Sequence, residues 1–202
     1  MSGIALIDYG AGNLTSVRKG FAAVGAELYS PGSPIDLEHA TGIVVPGVGH
    51  FSTTAALSEH WRHAIRRQIE SGIPLLGICL GMQWLFKGSE EAPDVPGLGI
   101  VAGVCRRIDV QRPLKVPHVG WNSLSRRRPS ALLHDVQDEA HVYFTHAFAA
   151  PVTEECTATT THGEAFAAVV EGGRVFGVQF HPEKSSEAGL RVLQNFVRLA
   201  QG

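Results

Sequence analysis

An α/β fold, with a mostly parallel central sheet flanked by helices and extended by antiparallel strands, is what the sequence predicts on three observations. Short runs such as Ile4-Ala5-Leu6-Ile7, Ile43-Val44-Val45 and Pro74-Leu75-Leu76-Gly77-Ile78 are apolar throughout, as strands buried on both faces are. Segments with apolar residues at helical spacing separate them, the pattern of a doubly covered parallel sheet. Beyond about residue 97 the pattern turns to closely spaced β-rich runs, two of them joined by the hairpin turn Glu171-Gly172-Gly173.

In order, the first strand ends at Asp8 and runs into the turn Gly10-Ala11-Gly12-Asn13. Leu14, Val17, Phe21 and Val24 mark a helix that Gly25 stops. Glu27-Leu28-Tyr29 is a short strand, and Ile43-Val44-Val45 is closed by Pro46-Gly47-Val48-Gly49. Leu57, Trp61, Ile65 and Ile69 predict one amphipathic helix over 52–71, with Gly72 just past its end. The strand ending at Ile78 leads into a helix over 79–86. Further strands are expected over 98–104, 141–148, 156–161, 165–170 and 174–180, then a closing helix over 186–200 carrying Leu190, Leu193, Phe196 and Val197.

The chain has 202 residues, 44% hydrophobic and 18% charged, and no internal repeat or linker, so a single domain over 1–202 is expected. Lys and Arg total 17 against 19 Asp and Glu, a net charge of −2, which gives no support to a nucleic-acid or membrane-surface binder. No apolar stretch approaches the roughly 18 residues needed to cross a bilayer, and residues 1–6 lack the basic start of a signal peptide. Cys79, Cys105 and Cys156 lie far apart, which argues against a disulfide framework or zinc ribbon and for a reducing cytoplasm.

Gly77-Ile78-Cys79-Leu80-Gly81 sets a cysteine at a sharp strand-to-helix corner with a glycine two residues either side, the layout of a nucleophile elbow with sulfur in place of oxygen. Free N–H groups at the helix start would favour thiolate. A buried packing cysteine is the competing reading. His181-Pro182-Glu183 tips the balance, because it follows an apolar strand and so reaches the same sheet edge. Pro182 is expected to keep the chain extended, so that His181 and Glu183 face the same way and the carboxylate orients the imidazole against Cys79. A strand-end turn with a solvated Glu is the alternative for this tripeptide taken alone.

The elbow together with His-Pro-Glu resembles the class I glutamine amidotransferases, whose fold is flavodoxin-like. Asp8-Tyr9-Gly10-Ala11-Gly12-Asn13-Leu14, Pro46-Gly47-Val48-Gly49, residues 77–83, Lys115-Val116-Pro117-His118-Val119-Gly120-Trp121-Asn122 and residues 177–185 look in particular like the glutaminase subunits of imidazole glycerol phosphate synthases. The blocks run from residue 8 to 185, nearly the whole chain.

The resemblance implies hydrolysis of glutamine to glutamate and ammonia, with Cys79 as nucleophile, His181 as proton carrier and Glu183 orienting it. It implies an oxyanion hole from the backbone N–H groups of Leu80 and Val48. It implies glutamine contacts from Gly47, Gly49, Gln83, Glu91 and the backbone around Thr145 and His146. Without it, Glu91 in Ser89-Glu90-Glu91 would read as part of a solvated acidic loop. The implied partner is a cyclase subunit, a (β/α)₈ barrel bound one to one, with Asn13, Trp121 and Lys184 near the shared face. No metal or cofactor is implied. Thr145, Ala147 and Phe148 depart from the Val, Ser and Tyr expected of the family, so only backbone roles carry over there, and His50 stands where Ala is common.

Other signals are set aside. Gly10-Ala11-Gly12 lacks the third glycine of a dinucleotide fingerprint, because position 15 is Thr. His60 with His63, and His141 with His146, have no further ligands at zinc spacing. Arg126-Arg127-Arg128 reads as a solvated loop, and Cys105 and Cys156 as inert residues of apolar runs. A cysteine hydrolase, another class I amidotransferase subunit and a non-catalytic module remain the competing functions.

Overall fold

A computed structural model describes residues 3–111 and 113–202. Met1 and Ser2, the start of the segment read for a leader, lie outside the described residues.

The N-terminal half alternates as expected. β1 (Gly3–Leu6) connects through α1 (Leu14–Ala23) to β2 (Leu28–Tyr29), and β3 (Ala40–Val45) connects through α2 (Glu59–Glu70) to β4 (Leu75–Ile78). Asn13 caps α1, its side-chain oxygen accepting the Ser16 N–H at 3.1 Å. α2 closes at Gly72, with the Gly72 N–H on the Ile69 carbonyl and the Ile73 N–H on the Gln68 carbonyl.

The single helix expected over 52–71 is two pieces. Residues Phe51–Ala56 form a 3₁₀ turn, and the chain breaks at Leu57 and Ser58 before α2 begins. Arg62 holds the break. Its guanidinium donates to the carbonyls of Leu57 at 3.0 Å, Gly97 at 2.7 Å and Pro96 at 2.6 Å, so the Leu57 carbonyl bonds a side chain instead of continuing a helix.

α3 (Leu80–Leu85) follows β4 and is buried on every side. The strand expected over 98–104 is absent; its residues cap α3 instead. The N–H of Leu98 donates to Trp84, that of Gly99 to Phe86, and those of Ile100 and Val101 to Leu85. A short buried helix leaves carbonyls that need donors, and Gly99 and Gly103, at φ +70° and +101°, let the segment wrap around it rather than extend.

The second half supplies β5 (Arg106–Arg107), β6 (His118–Ser123), β7 (Ser125–Arg126), β8 (His141–His146), β9 (Phe148–Ala149), β10 (Cys156–His162), β11 (Glu164–Gly172) and β12 (Val175–Val178), then α4 (Ser186–Gln201). The run expected over 141–148 is split at Ala147, because β8 pairs with β6 and β9 with β5. Arg126 departs from the solvated-loop reading. It lies in β7, and its guanidinium bonds the carbonyls of Leu133 and Val136.

The main sheet has eight strands in the order β2-β1-β3-β4-β12-β11-β10-β7. The first five run parallel and the last three are antiparallel. Adjacent residues feed opposite faces: Leu76 and Phe176 pack with Phe21 and Phe196 on one side, Leu75 and Val175 with Ile65 and Trp84 on the other. β4 and β12 are in register, Ile78 opposite Val178, so both deliver the chain to one edge at the same level. Among the described residues no helix is long and apolar enough to cross a membrane.

Candidate active site

The elbow is real in geometry. Cys79 adopts φ 53°, ψ −106° between β4 and α3, a conformation a side-chain-bearing residue holds only under constraint. The constraint is close packing. A Cβ on Gly81 would lie 1.8 Å from the Val45 carbonyl oxygen, and one on Gly77 would lie 2.6 Å from that of Gly81. Helix, corner and β3 therefore approach to backbone contact, and Cys79 is fixed by its surroundings, with only 4% of its surface exposed.

His181 follows β12 on the adjacent strand, and the Cys79 N–H bonds the Val178 carbonyl at 2.8 Å. The expected extended chain at Pro182 is not what forms. Residues Pro182–Lys184 make a 3₁₀ turn with the proline at its first position, where its missing N–H costs nothing. The turn still brings the pair together: His181 Nδ1 lies 2.8 Å from Glu183 Oε1, with both side chains 3% exposed. A carboxylate only accepts, so Nδ1 carries the proton and Nε2 is left for Cys79. Nε2 is buried with no hydrogen-bond partner among the described residues. Burial opposes charge on this ring, but the neighbouring Cys79 sulfur and the Glu183 carboxylate outweigh it and raise His181 to about 10.

Neighbours that the sequence reading missed lock this pair. The His181 N–H bonds the Tyr143 carbonyl at 2.9 Å, Ser185 Oγ donates to the His181 carbonyl at 2.6 Å, and the Tyr143 N–H donates to Ser185 Oγ at 2.9 Å. Gly20 of α1 leaves room for the relay: a Cβ there would stand 3.0 Å from Glu183 Cβ.

The loop after β3 faces the elbow. The Leu80 N–H donates to the Gly47 carbonyl at 3.3 Å. In a trans peptide the N–H points opposite to the carbonyl, so the Val48 N–H is turned away from Leu80. The two N–H groups expected to form an oxyanion hole therefore do not converge in this state. Tyr9 pins the loop, its hydroxyl donating to the Pro46 carbonyl at 2.8 Å.

A narrow cavity joins the remaining expected residues: Val48, Gly49, Gln83, Glu91 and the 145–148 segment line it together with Cys79 and Leu80. Glu91 is no solvated loop residue. Its Oε2 accepts the Phe51 N–H at 2.7 Å, and its carboxylate reaches the cavity. Gln83 Nε2 is fully committed, to the Phe148 carbonyl at 2.8 Å and to Gln179 Oε1 at 3.1 Å. Only its oxygen remains for a ligand, which suits an ammonium and not a carboxylate. The Thr145 carbonyl lies 4.0 Å from the Cys79 sulfur, while the His146 ring turns inward to the Phe148 carbonyl at 2.9 Å.

The family described as glutamine amidotransferase class-I matches residues 5–200. The chain belongs to the class I glutamine amidotransferases. It is 45% identical over 207 residues to a Geobacillus kaustophilus protein named imidazole glycerol phosphate synthase subunit HisH, covering 98% of each chain. A Deinococcus radiodurans protein of the same name is 42% identical over 199 residues, covering 96% of this chain and 93% of the relative. An Arabidopsis thaliana chloroplastic protein named imidazole glycerol phosphate synthase hisHF is 40% identical over 200 residues, which is 96% of this chain but 34% of that protein. Within the amidotransferases the chain thus groups with the HisH glutaminase subunits. A crystal structure described as a glutamine amidotransferase superposes with a TM-score of 0.76 at 21% identity, covering 99% of this chain and 100% of that one.

The amidotransferase domain also presents an exposed aromatic face. Trp121 of β6 is 52% exposed and sits opposite Tyr143 of β8, ring centroids 6.1 Å apart. Lys184 Nζ lies 5.9 Å from the centre of the Tyr143 ring. Tyr143 thus joins Trp121 and Lys184, the two residues that the family resemblance places near one surface. Asn13 is exposed, with its side-chain oxygen spent on the α1 cap.

Proposed function

We propose that this chain, as one domain over residues 1–202, is the glutaminase half of an imidazole glycerol phosphate synthase. Cys79 attacks the side-chain amide carbon of glutamine and forms a thioester. His181, protonated at the start, gives its Nε2 proton to the departing ammonia, then takes a proton from the water that releases glutamate. Glu183 holds the ring with Nδ1–H toward itself throughout. Gln83 through its oxygen and Glu91 through its carboxylate hold the α-ammonium, while Gly47, Gly49 and the backbone of Thr145 and His146 shape the cavity around the rest. The oxyanion is met by the N–H groups of Leu80 and Val48 once the Gly47–Val48 peptide turns over.

The observation that carries this reading is the parallel register of β4 and β12, which sets Cys79 beside the buried His181–Glu183 pair. The ammonia is passed to a cyclase subunit, a (β/α)₈ barrel bound one to one. There it converts a phosphoribulosyl-formimino aminoimidazole carboxamide ribotide into imidazole glycerol phosphate and AICAR, a step of histidine biosynthesis. Asn13, Trp121 and Lys184 are assigned to the shared face. The plant relative named hisHF, nearly three times the length matched here, has room for a second unit on the same chain. Three unpaired cysteines fit a cytoplasmic setting.

Co-expression with a barrel cyclase tests the reading. A one-to-one complex should co-purify and release glutamate from free glutamine faster when the cyclase ligand is present. A chain that ignores the cyclase, or that cleaves peptides and leaves glutamine intact, contradicts it.

A further inference from the structure

Five side chains outside the relay, joined through the Phe148 carbonyl, form a continuous hydrogen-bond chain that ends on the Cys79 sulfur, and the chemistry of each group fixes its direction. The Phe148 carbonyl can only accept, so His146 Nδ1, 2.9 Å away, carries the proton. Neutral His146 then accepts at Nε2, which makes His118 Nδ1, 3.1 Å away, a donor. His118 Nε2 in turn accepts from Asn122 Nδ2 at 3.3 Å. Burial keeps both rings neutral, pushing His118 down to about 4 and His146 to about 3. The register of β6 and β8 sets the two histidines directly opposite each other.

From the other side, Gln83 Nε2 donates to that same Phe148 carbonyl and to Gln179 Oε1. Gln179 is fully buried. With its oxygen turned to Gln83, its Nε2 faces the Cys79 sulfur at 3.6 Å.

We propose that His118, His146, Gln83 and Gln179 are positioning residues for the nucleophile. The histidine pair fixes the Phe148 carbonyl, that carbonyl and Gln179 divide the two N–H groups of Gln83, and Gln179 thereby presents an N–H to the Cys79 sulfur. A donor aimed at sulfur favours thiolate over thiol, because only the anion gains from it in full. The inference rests on the reading of Cys79 as the nucleophile. It adds a support to Cys79 that is separate from His181 and Glu183.

The measurement is the pH dependence of Cys79 alkylation by iodoacetamide on the intact chain, with the Cys79→Ala protein as background. It does not depend on glutamine turnover, so failure of the amidotransferase reading and failure of this inference remain distinguishable. Gln179→Met keeps the shape and removes the N–H. It should move thiolate formation to higher pH and slow alkylation below the midpoint by about three- to tenfold, the worth of one hydrogen bond. His118→Asn keeps a donor at the Nδ1 position and should behave as wild type, whereas His118→Gln places its amide at the Nε2 position and should reproduce part of the Gln179→Met shift. A general packing defect would affect both His118 variants alike. An unchanged profile for Gln179→Met, or equal profiles for the two His118 variants, overturns the inference. Nitrogen-15 imidazole spectra of the wild-type protein supply a check that needs no variant. Both His118 and His146 should read as neutral Nδ1–H tautomers, and an Nε2–H tautomer at either ring is equally fatal.

Discussion

The Gly47 carbonyl accepts the Leu80 N–H at 3.3 Å, across the place where the oxyanion of a tetrahedral intermediate would form. One donor is engaged and the other, on Val48, is turned away. A missing oxyanion donor typically costs about 10²–10³ in rate, so the isolated chain should be a poor glutaminase. The Tyr9 hydroxyl helps hold this state through the Pro46 carbonyl, and burial beside Cys79 raises the phenol, which keeps it a donor. Tyr9→Phe should therefore raise the basal glutaminase rate of the isolated chain by about fivefold, the worth of one neutral hydrogen bond. A lower or unchanged rate would mean that Tyr9 does not hold the loop. Position 47 is a poor place for this test, since a Cβ there would stand 2.3 Å from the Tyr9 hydroxyl oxygen.

The relay has a pH signature. His181 is raised from 6.5 to about 10, against the effect of its burial, by Cys79 and Glu183. A raised histidine stabilises the fold fully below its unfolded value near 6.5, and that contribution is lost as pH rises through about 10. Thermal unfolding midpoints of the wild-type protein should fall as pH rises toward 10, and His181→Ala should remove that part of the fall. Glutaminase activity of the complex should fall more with His181→Ala than with Glu183→Gln, by about tenfold or more, because an orienting group matters less than the base it serves. The reverse order would displace His181 from its role.

His118 and His146 have the opposite sign. Burial, reinforced for His118 by stacked His162, depresses them from 6.5 to about 4 and about 3. The unfolded chain takes protons that these rings refuse, so their contribution is whole above pH 6.5 and is lost as pH falls toward those values. Thermal unfolding midpoints should drop on mild acidification, and His118→Asn should flatten that drop. An identical acid profile in the variant would contradict the buried neutral pair.

Trp121, stacked edge-on against Tyr143, is the exposed aromatic best suited to anchor a partner. Trp121→Ala should weaken association with the cyclase by about 30-fold or more, the cost of an aromatic hot spot, without altering the folded chain. Calorimetric titration of the two subunits reads this directly, and an unchanged dissociation constant would move the interface elsewhere.

Much of this site was legible in the sequence because its logic is local. Gly77, Cys79 and Gly81 signal the elbow through spacing alone, and an apolar run before His181 puts it at the same sheet edge. Residues whose role depends on distant partners were not legible. Arg62 breaks a helix because Pro96 and Gly97 lie within its reach, and residues 98–104 cap α3 instead of forming a strand because buried carbonyls await them. Periodicity records neither. The relay turn was expected to be extended, and a 3₁₀ turn achieves the same pairing through Pro182. Gln179 did leave a signal. It is a polar residue inside the apolar run 175–180, two positions before His181, and burial without a partner there would be costly.

Cys79 is the thiol on which the account turns. Cys105 and Cys156 are buried in apolar surroundings that raise both thiols. The direct measurement is imidazole glycerol phosphate formation by the complex with the cyclase barrel, with either glutamine or ammonium as nitrogen source. Cys79→Ala should abolish the glutamine-dependent reaction and leave the ammonium-dependent one intact, while Cys105→Ala and Cys156→Ala support both. A Cys79→Ala complex that still uses glutamine would contradict the account.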